Sequence, residues 1–349
     1  MSHSSMHAVV KAESSAGLTM REVPVPEIGP QDVLVSVKAC SICGTDLHIH
    51  RWDPWAQDRL DPPLVVGHEA CGEIADVGRD VTSVKEGDLV SLESHVVCGT
   101  CDMCLTGRGH LCRNTSILGV DRDGVFADYV AVPALNAWPD PPGMPFEIAS
   151  LQENFGNAVH TAFTVDLRAR KVLVTGCGPV GIMAIAVAKA IGARSVYATD
   201  VSDYRLQLAR DMGADGTFND GEVNTVDAVM EATEGEGVDV LLEMSGAPGA
   251  VREGFELIKP GGEAALLGLP GEAMSFDFDN LLIFKGIKAH GVIGRKLWET
   301  WFQARGLLRS GAVNLQPIVT HRFPLADYED AFALMESGDC GKVVLLPAE

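Results

Sequence analysis

The sequence predicts a two-domain α/β protein, in which a doubly wound parallel sheet with crossover helices is joined to a largely β, barrel-like region. Two composition regimes and the chain length carry that prediction. From Met6 to about Leu135 the chain runs as short alternating segments, among them "MHAVVKA", "DVLVSVKAC", "GEIADVG", "DLVSLES" and "FADYVAVP", broken by Gly and Pro, as expected of small antiparallel sheets. From about His160, continuous apolar strands ("KVLVTG", "SVYATD", "VDVLLEMSG", "EAALLGL", "KAHGVIG") alternate with helical stretches ("PVGIMAIAVAKAIGA", "DYRLQLARDMGA", "GAVREGFELIKP"), the pattern of a parallel sheet buried on both faces. At 349 residues the chain suits two domains of about 100–200 residues each. The tail after Arg295 reads as helix, strand, helix and strand ("LWETWFQARGLLRSG", "VTHRFP", "ADYEDAFALMESG", "KVVLLP"). It is too short for a domain of its own and is expected to pack back on the first region. The expected division is therefore 1–155 with 295–349, and 156–294.

Composition narrows the partners. The formal net charge is −21, from 48 acidic and 27 basic residues spread through the chain. Nucleic acid and anionic membrane surfaces select for basic patches, so neither is expected. No apolar run approaches the roughly 18 residues of a membrane helix; "VGIMAIAVAKAIGA" contains Lys189 and reads as a buried helix. The opening "MSHSSMHAVVKAESS" lacks the apolar core of a signal peptide. The expectation is a soluble cytoplasmic protein acting on a small molecule, without internal repeats.

Candidate chemistry begins in the first region. Cys43 opens "CGTDLH", and His68 and Glu69 lie in "GHEACGEIADVG". Singly these residues are unremarkable, and Cys40-x2-Cys43 alone could pass for a redox pair. Together they supply the Cys, His and carboxylate mix of a catalytic zinc with an open coordination position.

The stretch "CGTCDMCLTGRGHLC" then places Cys98, Cys101, Cys104 and Cys112 in a polar loop. Disulfides are not expected, because nothing in the opening segment or in the total of nine cysteines points to an oxidising compartment. Chance burial does not fit the intervening Gly, Thr, Asp and Arg residues. An iron-sulfur cluster shares the ligand type, but the bacterial ferredoxin run ends in Cys-Pro and Cys112 is followed by Arg113. Four thiolates at C-x2-C-x2-C-x7-C instead fit one Zn2+ with no vacant position, a structural site.

In the second region Gly176-x-Gly178-x-x-Gly181 lies between an apolar strand and a helix, and the next strand ends at Asp200. An ordinary tight turn could also use these glycines. The strand before, the helix after and the acid about twenty residues on are the added context of a dinucleotide site. The glycines let the backbone approach a pyrophosphate seated on the helix N-terminus. Asp200 would accept bonds from the adenosine ribose and repel a 2'-phosphate, which favours NAD over NADP.

"CGTDLHIHRWDPWAQ", "PPLVVGHE", "SLESHVVCGTCDMCLTGRGHLC", "GVDRDG", "ENFGNAVHT" and "GRKLWETW" resemble the zinc-dependent medium-chain dehydrogenases over nearly the whole chain. "WDPWAQ", "ESH", "FGNAVH" and "GRKLWETW" resemble, more narrowly, their threonine-dehydrogenase branch. The resemblance implies a GroES-like β-barrel catalytic domain carrying the zinc loop 98–112, a Rossmann NAD-binding domain, and a tetramer. It implies a catalytic zinc on Cys43, His68 and a carboxylate, with Glu69 the exchangeable ligand and Glu153 near the zinc in ligation or proton transfer. Thr45 and His48 match the proton relay, and their i, i+3 spacing puts both on one side of a helical turn. His95 matches a position that influences substrate selection. Arg295 would reach the substrate carboxylate as a bidentate fork, against the alternative of a surface or interdomain ion pair. Val180, Arg205, Leu267, Gly268, Leu269, Val292 and Ile293 would join Gly176, Gly178, Gly181 and Asp200 around the cofactor.

The implied reaction is oxidation of L-threonine to 2-amino-3-oxobutanoate, with hydride passing to NAD in a cleft between the domains and Trp52 and Trp55 candidates for its wall. A polyol or butanediol-type dehydrogenase would share the zinc and NAD parts. A zinc-stabilised NAD sensor without turnover would not be expected to keep Cys43, Thr45, His48 and His68. One departure stands out: the family's usual Pro after the acidic residue is here Asn154, which removes a constraint on the turn. Cys40, Cys71 and Cys340 read as packing residues, and Cys177 has no assigned role.

Overall fold

A computed structural model of the chain describes residues 4–347; the expected domain limits at Met1 and Glu349 lie outside them. The chain forms two compact units, one running to Glu153 and resuming at Val319, the other Asn154–Ile318.

The first unit is built mainly on antiparallel pairing, with one parallel pair between Val319–Pro324 and Lys342–Leu346. Its main sheet runs in the order Ala137–Pro139, Leu89–Leu92, Glu69–Val77, Asp32–Ser41, Lys342–Leu346, Val319–Pro324, and Tyr129–Pro133 also pairs with Asp32–Ser41. Strand "DVLVSVKACS" alternates as a two-residue period requires, with Val33, Val35 and Val37 buried among Val9, Ile74, Val90 and Phe126. A smaller sheet holds Thr19–Pro24, Ser5–Lys11 and Leu64–Val65. Register decides what comes together. Ser41 pairs with Glu69 on one side and with Val344 on the other, so the last strand returns to the residues that the sequence marks as chemical.

In the second unit, among the described residues, six strands lie parallel: Lys171–Thr175, Ser195–Asp200, Gly216–Asn219, Val238–Glu243, Ile258–Leu266 and Lys288–Gly291. Numbered in chain order, their spatial order is 3-2-1-4-5-6, which puts a crevice at the carboxyl end of the first strand, where the order reverses.

The tail after Arg295 divides where it was expected to stay whole. Strands Val319–Pro324 and Lys342–Leu346 complete the first unit's sheet, but helix Glu299–Arg309 belongs to the second unit. Its Trp301 and Ala304 are buried, and the short turn Gln316–Ile318 packs on helices Pro179–Ala190 and Asp203–Asp211. The other boundary falls inside helix Gln152–Thr164, two residues before the expected 155/156. Among the described residues, no helix is long and apolar enough to cross a membrane.

Candidate active site and metal centres

One ligand atom each from Cys43, His68 and Glu69 lie within 4.8 Å of one another. Cys43 is the N-cap of helix α1 (Gly44–Arg51), where a thiol replaces the usual hydroxyl of a capping box: its sulfur accepts from the backbone of Asp46, and Asp46 Oδ2 accepts the Cys43 amide at 2.8 Å. The other Asp46 oxygen faces His68 Nδ1 at 3.4 Å, with both residues buried. Occupying Nδ1 in this way leaves the distal ring nitrogen for a metal, the arrangement by which a carboxylate orients a ligating imidazole. Burial opposes a charged ring, but Asp46 and the Cys43 sulfur outweigh it and hold His68 well above its ordinary pKa. Surroundings that hold a proton so firmly also suit a metal cation, so the donor set fits Zn2+.

Glu69 is fully buried, and its Oε2 accepts from the Ser41 hydroxyl and the Lys342 ammonium. Lys342 is itself buried and also donates to the Ile42 carbonyl at 3.1 Å. Burial would lower its pKa, but Glu69, with smaller contributions from Cys43 and Glu153, carries it above the ordinary lysine value. Glu153 stands outside the three-ligand cluster. It lies in the first turn of helix Gln152–Thr164, 4% exposed, and Oε1 accepts the Ser94 hydroxyl at 2.6 Å. With Asn154 buried behind it, the position that proline commonly takes is absorbed into a regular helix.

Thr45 and His48 share α1, as their spacing implies. The His48 side chain is 55% exposed, with Nδ1 2.5 Å from Asp53 Oδ2. His95 sits on the short strand His95–Val96, with Nδ1 3.2 Å from the buried Glu93 carboxylate.

All nine cysteines are free thiols, and the four of the loop lie within 4.8 Å of one another. Sulfur separations are 3.6 Å for Cys101–Cys104, 3.9 Å for Cys101–Cys112 and 3.5 Å for Cys98–Cys112. A tetrahedron with Zn–S arms of about 2.3 Å has edges of about 3.8 Å, so the loop is shaped for that ion. Backbone amides of Thr100 and Cys101 pull the Cys98 thiol down to about 5, while burial and the neighbouring sulfurs push Cys104 up to about 12.

The glycine loop fits a dinucleotide. Gly176 has φ +88°, and a Cβ there would meet Ser245; a Cβ on Gly181 would lie 2.0 Å from the Gly176 carbonyl. At Gly178 a Cβ would meet nothing within 4 Å, which is the open approach a pyrophosphate needs. Asp200 Oδ2 accepts the Cys177 amide at 2.7 Å and Oδ1 accepts Ser202 N–H at 2.9 Å, fixing the carboxylate beside the loop. Cys177 is buried with its sulfur 3.6 Å from the Thr199 carbonyl, so it packs strand to loop. Val180 follows Gly178 in the first turn of its helix, and Arg205 lies in the first turn of the next. Leu267, Gly268 and Val292 line the strand ends through bonds of their amides to Glu243 and Leu266 carbonyls, and Leu269 and Ile293 stand exposed beside them.

Arg295 is 1% exposed, which removes the surface alternative. Its stem packs on Gly156, where a Cβ would lie 2.7 Å from Arg295 Cδ, and one guanidinium nitrogen is 3.4 Å from Asn157 Oδ1. His160 Nδ1 lies 2.9 Å from the Gly294 carbonyl. The motifs "ENFGNAVHT" and "GRKLWETW" therefore pack against each other. Cys40, Cys71 and Cys340 are buried as expected. Sequence reading missed Asp46, Asp53, Ser41 and Lys342. Cys43-x-x-Asp46 resembles a capping box and Asp53-Pro54 a helix start, so two of these carried a local signal.

The match to known proteins covers both units. The family model described as "Alcohol dehydrogenase GroES-like domain" matches residues 29–142, and that described as "Zinc-binding dehydrogenase" matches 179–310. An L-threonine 3-dehydrogenase of Symbiobacterium thermophilum is 52% identical over 98% of both chains, and one of Pyrococcus abyssi is 49% identical over 98% of both. Among solved structures, a Sinorhizobium meliloti protein bound to NADP has a TM-score of 0.91 at 29% identity, and an Escherichia coli alcohol dehydrogenase complexed with NADH has 0.91 at 28%. Each alignment covers 99% of this chain and 100% of the other. The chain belongs to the zinc-binding medium-chain dehydrogenase family, in the group of its L-threonine 3-dehydrogenase relatives.

Proposed function

We propose that this chain oxidises L-threonine to 2-amino-3-oxobutanoate with NAD. The observation that carries the reading is the cluster of Cys43, His68 and Glu69 on a buried support, in a chain half identical to threonine dehydrogenases over nearly its full length. When bound, Zn2+ supplies Lewis acidity toward the substrate hydroxyl and NAD takes up the hydride. Cys43, His68 and a carboxylate, Glu69 or Glu153, hold the metal. Thr45 and His48 carry the hydroxyl proton outward, an outlet suited to the half-exposed imidazole. Arg295, buried and therefore fixed in direction, pairs with the substrate carboxylate, and His95, oriented by Glu93, helps select the substrate. Asp200 accepts the ribose hydroxyls and disfavours a 2'-phosphate. Cys98, Cys101, Cys104 and Cys112 hold a second, structural zinc. The reading extends to a soluble cytoplasmic homotetramer, which light scattering checks for assembly size.

The test is NADH formation by zinc-loaded protein with L-threonine beside D-threonine, L-serine, sorbitol and 2,3-butanediol at equal concentration. A strong preference for L-threonine is expected. Preference for the uncharged alcohols would overturn the carboxylate-recognising role of Arg295 and the substrate with it.

A further inference from the structure

Within the proposed reaction, we infer that Asp53 is a positioning residue of the proton path, fixing which nitrogen of His48 accepts the proton. His48 lies in the last turn of α1. The chain reverses at Trp52, which takes the left-handed conformation at φ 55°, and helix α2 (Pro54–Arg59) follows, N-capped by Asp53. The Asp53 carboxylate is divided between two tasks: Oδ1 accepts the Ala56 amide at 3.0 Å and Oδ2 lies 2.5 Å from His48 Nδ1. Burial works against the charged carboxylate, but the Ala56 amide and His48 outweigh it and hold Asp53 below its ordinary pKa.

Among the described residues, the other charged groups on α1 and the segments packed against it have partners of their own. Asp46 is committed to the Cys43 amide and faces His68. Glu336, on helix Tyr328–Ser337 packed against α1, takes Arg51 at 3.0 Å and lies 3.7 Å from His50. Lys11 stands 4.9 Å from the centre of the Trp52 ring. The Trp55 ring meets His48 edge-on with centroids 6.1 Å apart, confining the imidazole from a second side.

A carboxylate can only accept, so Nδ1 must carry the hydrogen and Nε2 must present its lone pair. That is the tautomer a relay needs: the substrate hydroxyl gives its proton to Thr45, Thr45 gives its own to His48 Nε2, and the imidazole releases a proton to water. The sum is one proton released for each hydride transferred.

Asp53→Asn separates the two tasks. Asparagine keeps the cap, but only by turning its oxygen to the Ala56 amide, which aims its NH2 at His48 and demands the opposite tautomer. Asp53→Ser also keeps a cap and leaves His48 free to choose. With zinc-loaded protein and L-threonine, kcat is expected to fall at least about 10-fold in Asp53→Asn, with a smaller fall in Asp53→Ser, and with KM, zinc content and melting temperature close to wild type. Nitrogen NMR of the ring, which needs no turnover, is expected to show hydrogen on Nδ1 in the wild type and on Nε2 in Asp53→Asn. A residue that only caps α2 would leave Asp53→Asn like the wild type in rate and tautomer, which overturns the inference. If the wild type fails on L-threonine the proposed substrate falls, and the tautomer measurement still decides the role of Asp53.

Discussion

The four sulfurs of the Cys98–Cys112 loop come from fifteen consecutive residues, and the loop's own amides help to hold them. The Cys43, His68 and Glu69 atoms come instead from a helix N-cap and the start of a sheet strand, and Glu69 is held by a lysine 273 positions away. The first centre repeats one ligand type and closes on itself, which suits a cation that never meets substrate. The second mixes ligand types and sets each against a buried partner: His68 against Asp46, Glu69 against Ser41 and Lys342. Such support orients ligands while leaving room for exchange. A site drawn from one loop depends on that loop, and one assembled from a helix, a strand and a distant lysine depends on the whole unit.

Substitutions can break that contrast, and the largest effect is expected nearest the chemistry. Glu153→Gln should cut turnover by orders of magnitude, with melting temperature nearly unchanged, because Ser94 can still bond to the amide oxygen. Steady-state rates set against metal analysis check it, and near-wild-type activity would remove Glu153 from the mechanism. Lys342→Met tests how far the second centre leans on distant chain. It strips a buried carboxylate of its countercharge, a loss of about 3–5 kcal/mol, read as a lowered midpoint in urea unfolding. A neutral result would mean that Glu69 is satisfied without Lys342. The smallest effect belongs to another locally coded site. Asp200→Ser should raise NADP use relative to NAD by about 10-fold or more without touching zinc content, on the ribose logic; unchanged cofactor preference would contradict the role given to Asp200.

The same contrast explains what could be read from the sequence. The cysteine spacing and the glycine motif are encoded within one loop or one strand-turn-helix, and in the structure the four sulfurs lie together and the approach at Gly178 is open. Cys43, His68 and Glu69 were found by residue type, but nothing near them in sequence points to Lys342, because the pairing of Ser41 with both Glu69 and Val344 makes that contact. Asp46 gives a weak signal in sequence because a cysteine cap is unusual. The sequence leaves Arg295 a surface alternative that its burial against Gly156 removes, a packing relation between segments 139 positions apart. Helix Glu299–Arg309 lies in the second unit rather than the first for a similar reason, since its amphipathic face does not say which core receives it.

The most direct test of the central claim, one centre for chemistry and one for the loop, is zinc content, NADH formation and thermal unfolding measured side by side for wild type, Cys43→Ser and Cys98→Ser. The wild type should hold about two zinc per chain, one for each donor set. Cys43→Ser should retain the loop's zinc and its melting temperature but form no NADH from L-threonine. Cys98→Ser should lose the loop's zinc and melt lower, by about 2–4 °C for each kcal/mol of stability lost. An active Cys43→Ser protein, or one that loses both metals together, would contradict the division of labour between the two centres.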